Sequence, residues 1–137
     1  MPFRLLLIAL ALCIVLAACT PSPTPTPDPN ALTRLAGDIL ANPARYDGQA
    51  VTIVGYYRGW DLLHEAEGGS PVTRSDWVVK DETGAIYVQA NNAPVTGQKP
   101  NPGDQAGTNR VVRVSGAVRL TAAGQPYIEP IGVEFVK

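Results

Sequence analysis

The chain has 137 residues, 45% of them apolar, with 11 Lys and Arg against 12 Asp and Glu, a formal charge of −1. That length holds one small domain, and the balance lacks the basic surplus by which proteins hold phosphate backbones. One histidine, His64, and two cysteines, Cys13 and Cys19, leave little material for a metal or nucleophile centre.

The N-terminus opens with Met1 and Arg4, a short positive start, and Leu5–Ala18 (LLLIALALCIVLAA) follows without a charge. As a helix at ~1.5 Å per residue these residues cover about 21 Å, short of a bilayer core of ~30 Å. Positive start, short apolar core and small residues at its end describe a secretory signal. Leu16-Ala17-Ala18-Cys19 resembles a bacterial lipobox. The resemblance implies cleavage before Cys19, a diacylglycerol on its sulfur, and a mature chain tethered to the membrane outside the cytoplasm, on the periplasmic or outer surface. An uncleaved anchor is the alternative. A Cys13–Cys19 disulfide would join two positions of one apolar helix that lie on different faces, so it is rejected. Residues 1–18 are therefore read as a signal peptide, and the mature chain carries ten basic against twelve acidic residues, a charge of −2.

Residues 19–30 form the lipidated cysteine and a tether. TPSPTPTPDPN places proline at nearly every second position, which excludes helix and sheet ladders and predicts an extended spacer of ~3.1 Å per residue. The globular domain is expected over 31–137. Asn30 is a candidate helix cap, and Leu32, Leu35, Ala36, Ile39 and Leu40 recur at helical spacing, predicting a helix over 31–41 that Asn42-Pro43 closes.

Strands follow. An Asp47-Gly48 turn leads into VTIVGYYR, with Val51, Ile53 and Tyr57 on one face and Thr52, Val54, Tyr56 and Arg58 on the other. WVVKDETGAIYVQA reads as a hairpin with its turn at Asp81–Gly84. RVVRVSGAVRL alternates Val112, Val114, Val118 and Leu120 against Arg113, Ser115 and Arg119. The last strand, GQPYIEPIGVEFV, is expected to put Ile131, Val133 and Phe135 on one side, with Pro130 and Gly132 marking a bulge or an edge. Gly55 and Gly116 fall mid-strand, where barrels bend.

Five strands over about 85 residues predict an all-β fold, a small five-stranded Greek-key barrel preceded by one short helix. The segments VTIVGYY, WVVKDETGAIYV and VVRVSGAVR…GQPYIEP resemble the OB-fold, and more closely the bacterial lipoproteins that carry one behind a proline-rich tether. The connection Ala90–Asn109 departs from that plan: its glycines and prolines exclude the helix often found there, and the N-terminal helix is expected to plug the barrel instead.

No catalytic residue, metal site or cofactor is expected. Asp61, His64, Glu65 and Glu67 cluster in DLLHEAEGG, but zinc prefers three or four His and Cys ligands and calcium a denser, spaced oxygen set, so a loop is the better reading. Asp76 with Ser75, and Asp81 with Glu82, read as turn residues. A binding surface is easier to assemble. Tyr56, Arg58, Lys80, Tyr87, Gln89 and Arg113 are expected to face outward, and aromatic planes interleaved with cations suit stacking ligands. OB-folds bind oligonucleotides and oligosaccharides on such a face. Trp77 is expected in the core, and Trp60, in the long loop, is a candidate contact. The function expected is a non-enzymatic, lipid-anchored module engaging an envelope protein or a small ligand. The alternatives are single-stranded nucleic acid, against which the charge argues, an oligosaccharide, or a metal-dependent enzyme built on the His64 loop.

Overall fold

The computed structural model describes residues 31–137; the expected signal peptide, lipidated Cys19, tether and Asn30 cap lie outside the described residues. In chain order the elements are β1 (Leu32–Thr33), α1 (Ala36–Ala41), α2 (Pro43–Tyr46), β2 (Ala50–Tyr57), β3 (Trp77–Lys80), β4 (Ala85–Val88), β5 (Val95–Thr96), a 3-10 turn (Gln105–Gly107), β6 (Val111–Leu120) and β7 (Pro126–Phe135). β2 pairs antiparallel with β3, β3 with β4, β7 with β6, and β6 again with β2, while β4 and β7 run parallel. The ring β2-β3-β4-β7-β6 closes on itself. This is a five-stranded, OB-fold-like Greek-key barrel, and closure leaves the barrel itself no edge strand. β1 and β5 are short parallel additions on β2 and β7.

Alternation fills the barrel as the sequence predicts. Val51, Ile53, Val79, Ile86, Val112, Val114, Val118 and Ile128 are buried, with Trp77 beside them. Gly55 and Gly116 sit where neighbouring backbone comes close: a Cβ on either would collide with a carbonyl, that of Lys80 or of Glu129. Ser115 pairs with Gly132 and Gly116 with Pro130, so Ile131 is the extra residue of a β-bulge. Val133 and Phe135 enter the core and Ile131 does not join them. The expected bulge is present, and it takes Ile131 off the core face on which alternation places it.

The N-terminal helix differs from expectation. It begins at Ala36, and Leu32–Thr33 instead lie as a strand along Val51–Thr52, continued by the Arg34 amide donating to the Thr52 carbonyl at 2.9 Å. Leu32 and Leu35 are therefore exposed, and only Ala36 and Ile39 of the expected stripe are buried. The start is set from a distance. The amide of Ala36 donates to Asp81 Oδ2 at 2.6 Å and that of Gly37 to Thr83 Oγ1 at 2.8 Å, so the β3–β4 turn satisfies two of the donors a helix leaves open. Pro43, pre-set for a first helical turn, then opens α2. Ala36, Ile39 and Tyr46 join the main core cluster, so the helices cover the barrel.

Tyr57 is fully buried, its ring 5.1 Å from that of Trp77 and 5.4 Å from that of Phe135. Its hydroxyl finds no hydrogen-bond partner among the described residues, and burial pushes its pKa up to about 12 from 10.0. A buried, unsatisfied hydroxyl is destabilising. Tyr57→Phe is expected to raise stability by about 1 kcal/mol or leave it unchanged, as read by urea unfolding. The raised native pKa means that the neutral phenol is favoured in the fold, an advantage present below pH 10 and lost as pH rises toward 12. Tyr57→Phe should accordingly flatten that alkaline limb; a steeper limb would contradict the assignment.

Candidate functional site

Residues 58–76, between β2 and β3, fold back over the outside of β3 and β4. Val78, Ala85 and Tyr87 are buried there beneath Ala66, with Tyr127 alongside. The strand face that OB-folds offer to ligands is thus covered by the chain's own loop. Charged groups hold the cover. Arg58 donates through Nε to Glu65 Oε2 at 2.6 Å, through Nη1 to Asn109 Oδ1 at 2.9 Å, and to the Thr108 carbonyl. Lys80 Nζ reaches Glu65 Oε1 at 2.7 Å, so one carboxylate joins the start of the loop just past β2, the middle of the loop and β3. Burial pushes the Glu65 carboxyl up, but the hydrogen bonds and charges of Lys80 and Arg58 outweigh it and hold it below its ordinary value.

Asp76 is fully buried and accepts the amides of Val72, Thr73 and Ala90 and the Thr73 hydroxyl. Burial alone would raise its pKa, but those four donors outweigh burial and hold the carboxyl below its ordinary value. Asp61 caps its own turn through the amides of Glu65 and Ala66. The carboxylates of Asp61 and Glu65 are spent on protein donors, and among the described residues no three His, Cys, Asp or Glu side chains converge on a metal position.

The seven sequence-derived ligand candidates separate. Tyr56 is 47% exposed, with the Arg58 guanidinium 5.6 Å from its ring centroid. Those two and Lys80 line one groove of about 510 Å³, together with Leu35, Val54, Val111, Asp81 and Glu82. Arg58 does not stand out from the surface as expected: it is buried, because Glu65, Thr108 and Asn109 draw it inward. Tyr87 is buried too, because the loop covers it; burial, and then the charges of Asp61 and Asp76, push its phenol above its ordinary value. Gln89 is half-buried beside a hollow of about 20 Å³ under Trp77. Arg113 pairs with Glu134 at 2.6 Å and faces a separate hollow of about 260 Å³ beside Ile131. A fourth hollow, about 350 Å³, lies between Leu40, Pro43, Glu67 and Gln125. Trp60 lines none of these; its side chain stands half-exposed on the loop.

The groove exists because β2 is incompletely flanked. On one side it runs along β6 throughout, while on the other β1 covers Val51 and Thr52 and β3 begins only at Tyr56. Backbone groups alternate sides along a strand. Thr52 and Tyr56 turn theirs toward β1 and β3, and Val54, between them, turns its own into the gap. Leu35 and Val111 were missed as site residues, although the alternation already placed Val54 outward; only the β1 pairing, invisible in the helical spacing, brings Leu35 to the groove.

No family model matches the chain, and no curated protein matches its sequence. Among solved structures it is similar to a protein described as an aspartyl-tRNA synthetase from Leishmania major Friedlin, at 12% identity and a TM-score of 0.46. That similarity covers 86% of this chain but only 23% of the other, and no argument below rests on it.

Asp76→Asn keeps the side-chain volume but turns an amide group toward backbone donors. It is expected to cost about 2 kcal/mol at pH 7. Because the native carboxyl titrates below its ordinary 3.8, its contribution is complete above that value and disappears as pH falls through the depressed one. Urea unfolding at pH 7 and pH 3 should show the gap between the two proteins narrowing with acid; a constant gap would refute the role of the charge.

Proposed function

We propose that this chain is a lipid-anchored, extracytoplasmic binding module without an enzymatic role, which engages an envelope protein or a small ligand through the β2 groove. One observation carries the reading. The groove joins an exposed aromatic ring, a guanidinium stacked on it, an ammonium and three aliphatic walls, with unpaired backbone between two strands. Its volume of about 510 Å³ falls in the range of small-molecule sites, which combine apolar walls with a few placed polar groups. The anchor rests on the positive start, the short apolar stretch and Leu16-Ala17-Ala18-Cys19. Against single-stranded nucleic acid stand the charge balance and the loop lying over the face that would receive bases. Among the described residues no helix is long and apolar enough to cross a membrane.

Two experiments on the full chain, expressed in a bacterium, test the halves of the proposal. Metabolic labelling with an alkyne fatty acid should tag the wild type and leave Cys19→Ser unlabelled in the soluble fraction; equal labelling of both would remove the anchor. A photo-crosslinking residue at position 54 should form a discrete adduct that one at exposed position 122 does not, and that Tyr56→Ala abolishes. Identical patterns from the two positions would remove the groove.

A further inference from the structure

Trp60 keeps half its surface in solvent while its backbone is fixed on every side. Its amide donates to the Pro102 carbonyl at 3.0 Å, and the carbonyl of Gly59 before it accepts the Val78 amide at 2.9 Å. Gly59 and Asp61, on either side, are both left-handed, with φ of 57° and 55°. A side chain at 59 would collide with the Pro102 carbonyl, and a left-handed aspartate is an uncommon, costly conformation. Asp61 is kept there by its carboxylate, which accepts the amides of Glu65 and Ala66. Ordinary burial would hide a tryptophan, as it does Trp77, 3% exposed against 50% for Trp60. Gly59 adopts its positive φ without steric cost and Asp61 is held in its own by the side-chain cap, so the residues on either side of the indole fix its outward direction.

The surroundings of the ring say what it would meet. Its Cζ3 edge lies beside Gly103, close enough that a Cβ there would stand 3.2 Å away. The Gly103 amide is taken by Asn101 Oδ1 at 3.0 Å, which leaves the Asn101 Nδ2 hydrogens for a ligand. Asp104, an exposed carboxylate, follows. The indole is thus a platform with hydrogen-bonding groups at one edge, and it lines none of the four hollows described above. A pyranose of gluco configuration has the matching shape: its ring faces are covered by axial C–H bonds and its rim by equatorial hydroxyls.

We propose that Trp60 is the stacking platform for such a sugar ring, with Asn101 reading a rim hydroxyl, and that the ligand is a segment of a polysaccharide chain. This rests on the reading of the chain as a binding module but not on the β2 groove, which Trp60 does not line.

The chain has two tryptophans, so two indole N–H resonances report on the site and on the core at once. Full-length ¹⁵N-labelled protein in detergent micelles is titrated with cellotetraose and with chitotetraose. The Trp60 resonance is expected to shift saturably, with a dissociation constant on the order of 1 mM as befits one stacking contact, while that of Trp77 stays. In the variants, which lack the Trp60 indole, binding is followed at the Gly103 backbone amide and the Asn101 side-chain amide beside the ring: Trp60→Tyr should bind within about tenfold of wild type, Trp60→Ala should not bind, and an unmoved Trp77 resonance verifies the fold of each variant. Tyr56→Ala should leave the titration unchanged. Absence of a saturable shift with both sugars, or binding that survives Trp60→Ala, overturns the proposal. A protein trapped by a photo-crosslinker at position 60, with no sugar response, overturns it too but leaves the binding-module reading standing. Sugar binding combined with no adduct from position 54 upholds it and removes only the groove.

Discussion

Two buried carboxylates bracket β3, and the arrangement of everything outside the barrel depends on them. Asp76, immediately before the strand, gathers three amides and a hydroxyl from residues 72, 73 and 90. Asp81, immediately after it, gathers the amides of Ala36, Thr83 and Gly84 and the Thr83 hydroxyl. Burial raises the Asp81 carboxyl, and those donors bring it below its ordinary value, so it stays charged as Asp76 does. Hydrogen bonds to an ionised acceptor are stronger than neutral ones and more costly to break when buried. The shortest barrel strands are therefore held at their ends by charge rather than by length. One carboxylate ties down the loop that covers the barrel wall, the other starts the helix.

Four of the cations are drawn in the same way. Arg58 and Lys80 share Glu65, Arg113 meets Glu134, and Arg119 meets Glu129. Each of these pairs turns positive charge back onto the protein, and the exposed pairs contribute little to stability. At the groove and on the loop, what this leaves for a visitor is mostly shape and apolar surface: Leu35, Val54, Tyr56 and Val111 around the groove, and the Trp60 ring on the loop. Recognition built that way is less sensitive to ionic strength than one built on free charge.

The parts of this fold legible in sequence are those that neighbouring residues decide. Alternation in VTIV and VVRV, the Asp-Gly turn and the Asp81–Gly84 hairpin each state their structure within a few residues, and closure of five such strands follows. The start of α1 was not legible, since its cap comes from Asp81 and Thr83, 45 and 46 positions away, and Leu32, spaced like a helical residue, is claimed by a strand partner. The site was legible in residue type and not in company. Tyr56 and Lys80 share a groove, but Tyr87, one strand further, lies under a loop whose path no periodicity encodes. Arg58 looked like an outward cation because alternation places it there, while its partners at 65, 108 and 109 decide where it goes.

β1 runs parallel to β2, entering beside Val51, whereas Tyr56 and the loop bearing Trp60 lie at the opposite end of β2. A pull applied through the residues before Leu32, and resisted by whatever is held at Tyr56 or Trp60, is directed along the strands. It slides β1 against β2, so the Leu32–Thr33 pairing and the Arg34–Thr52 hydrogen bond are loaded together instead of parting one after another like a zip. The first segment of the domain is a shear joint, and a pull along β2 meets it in the direction in which it is hardest to open.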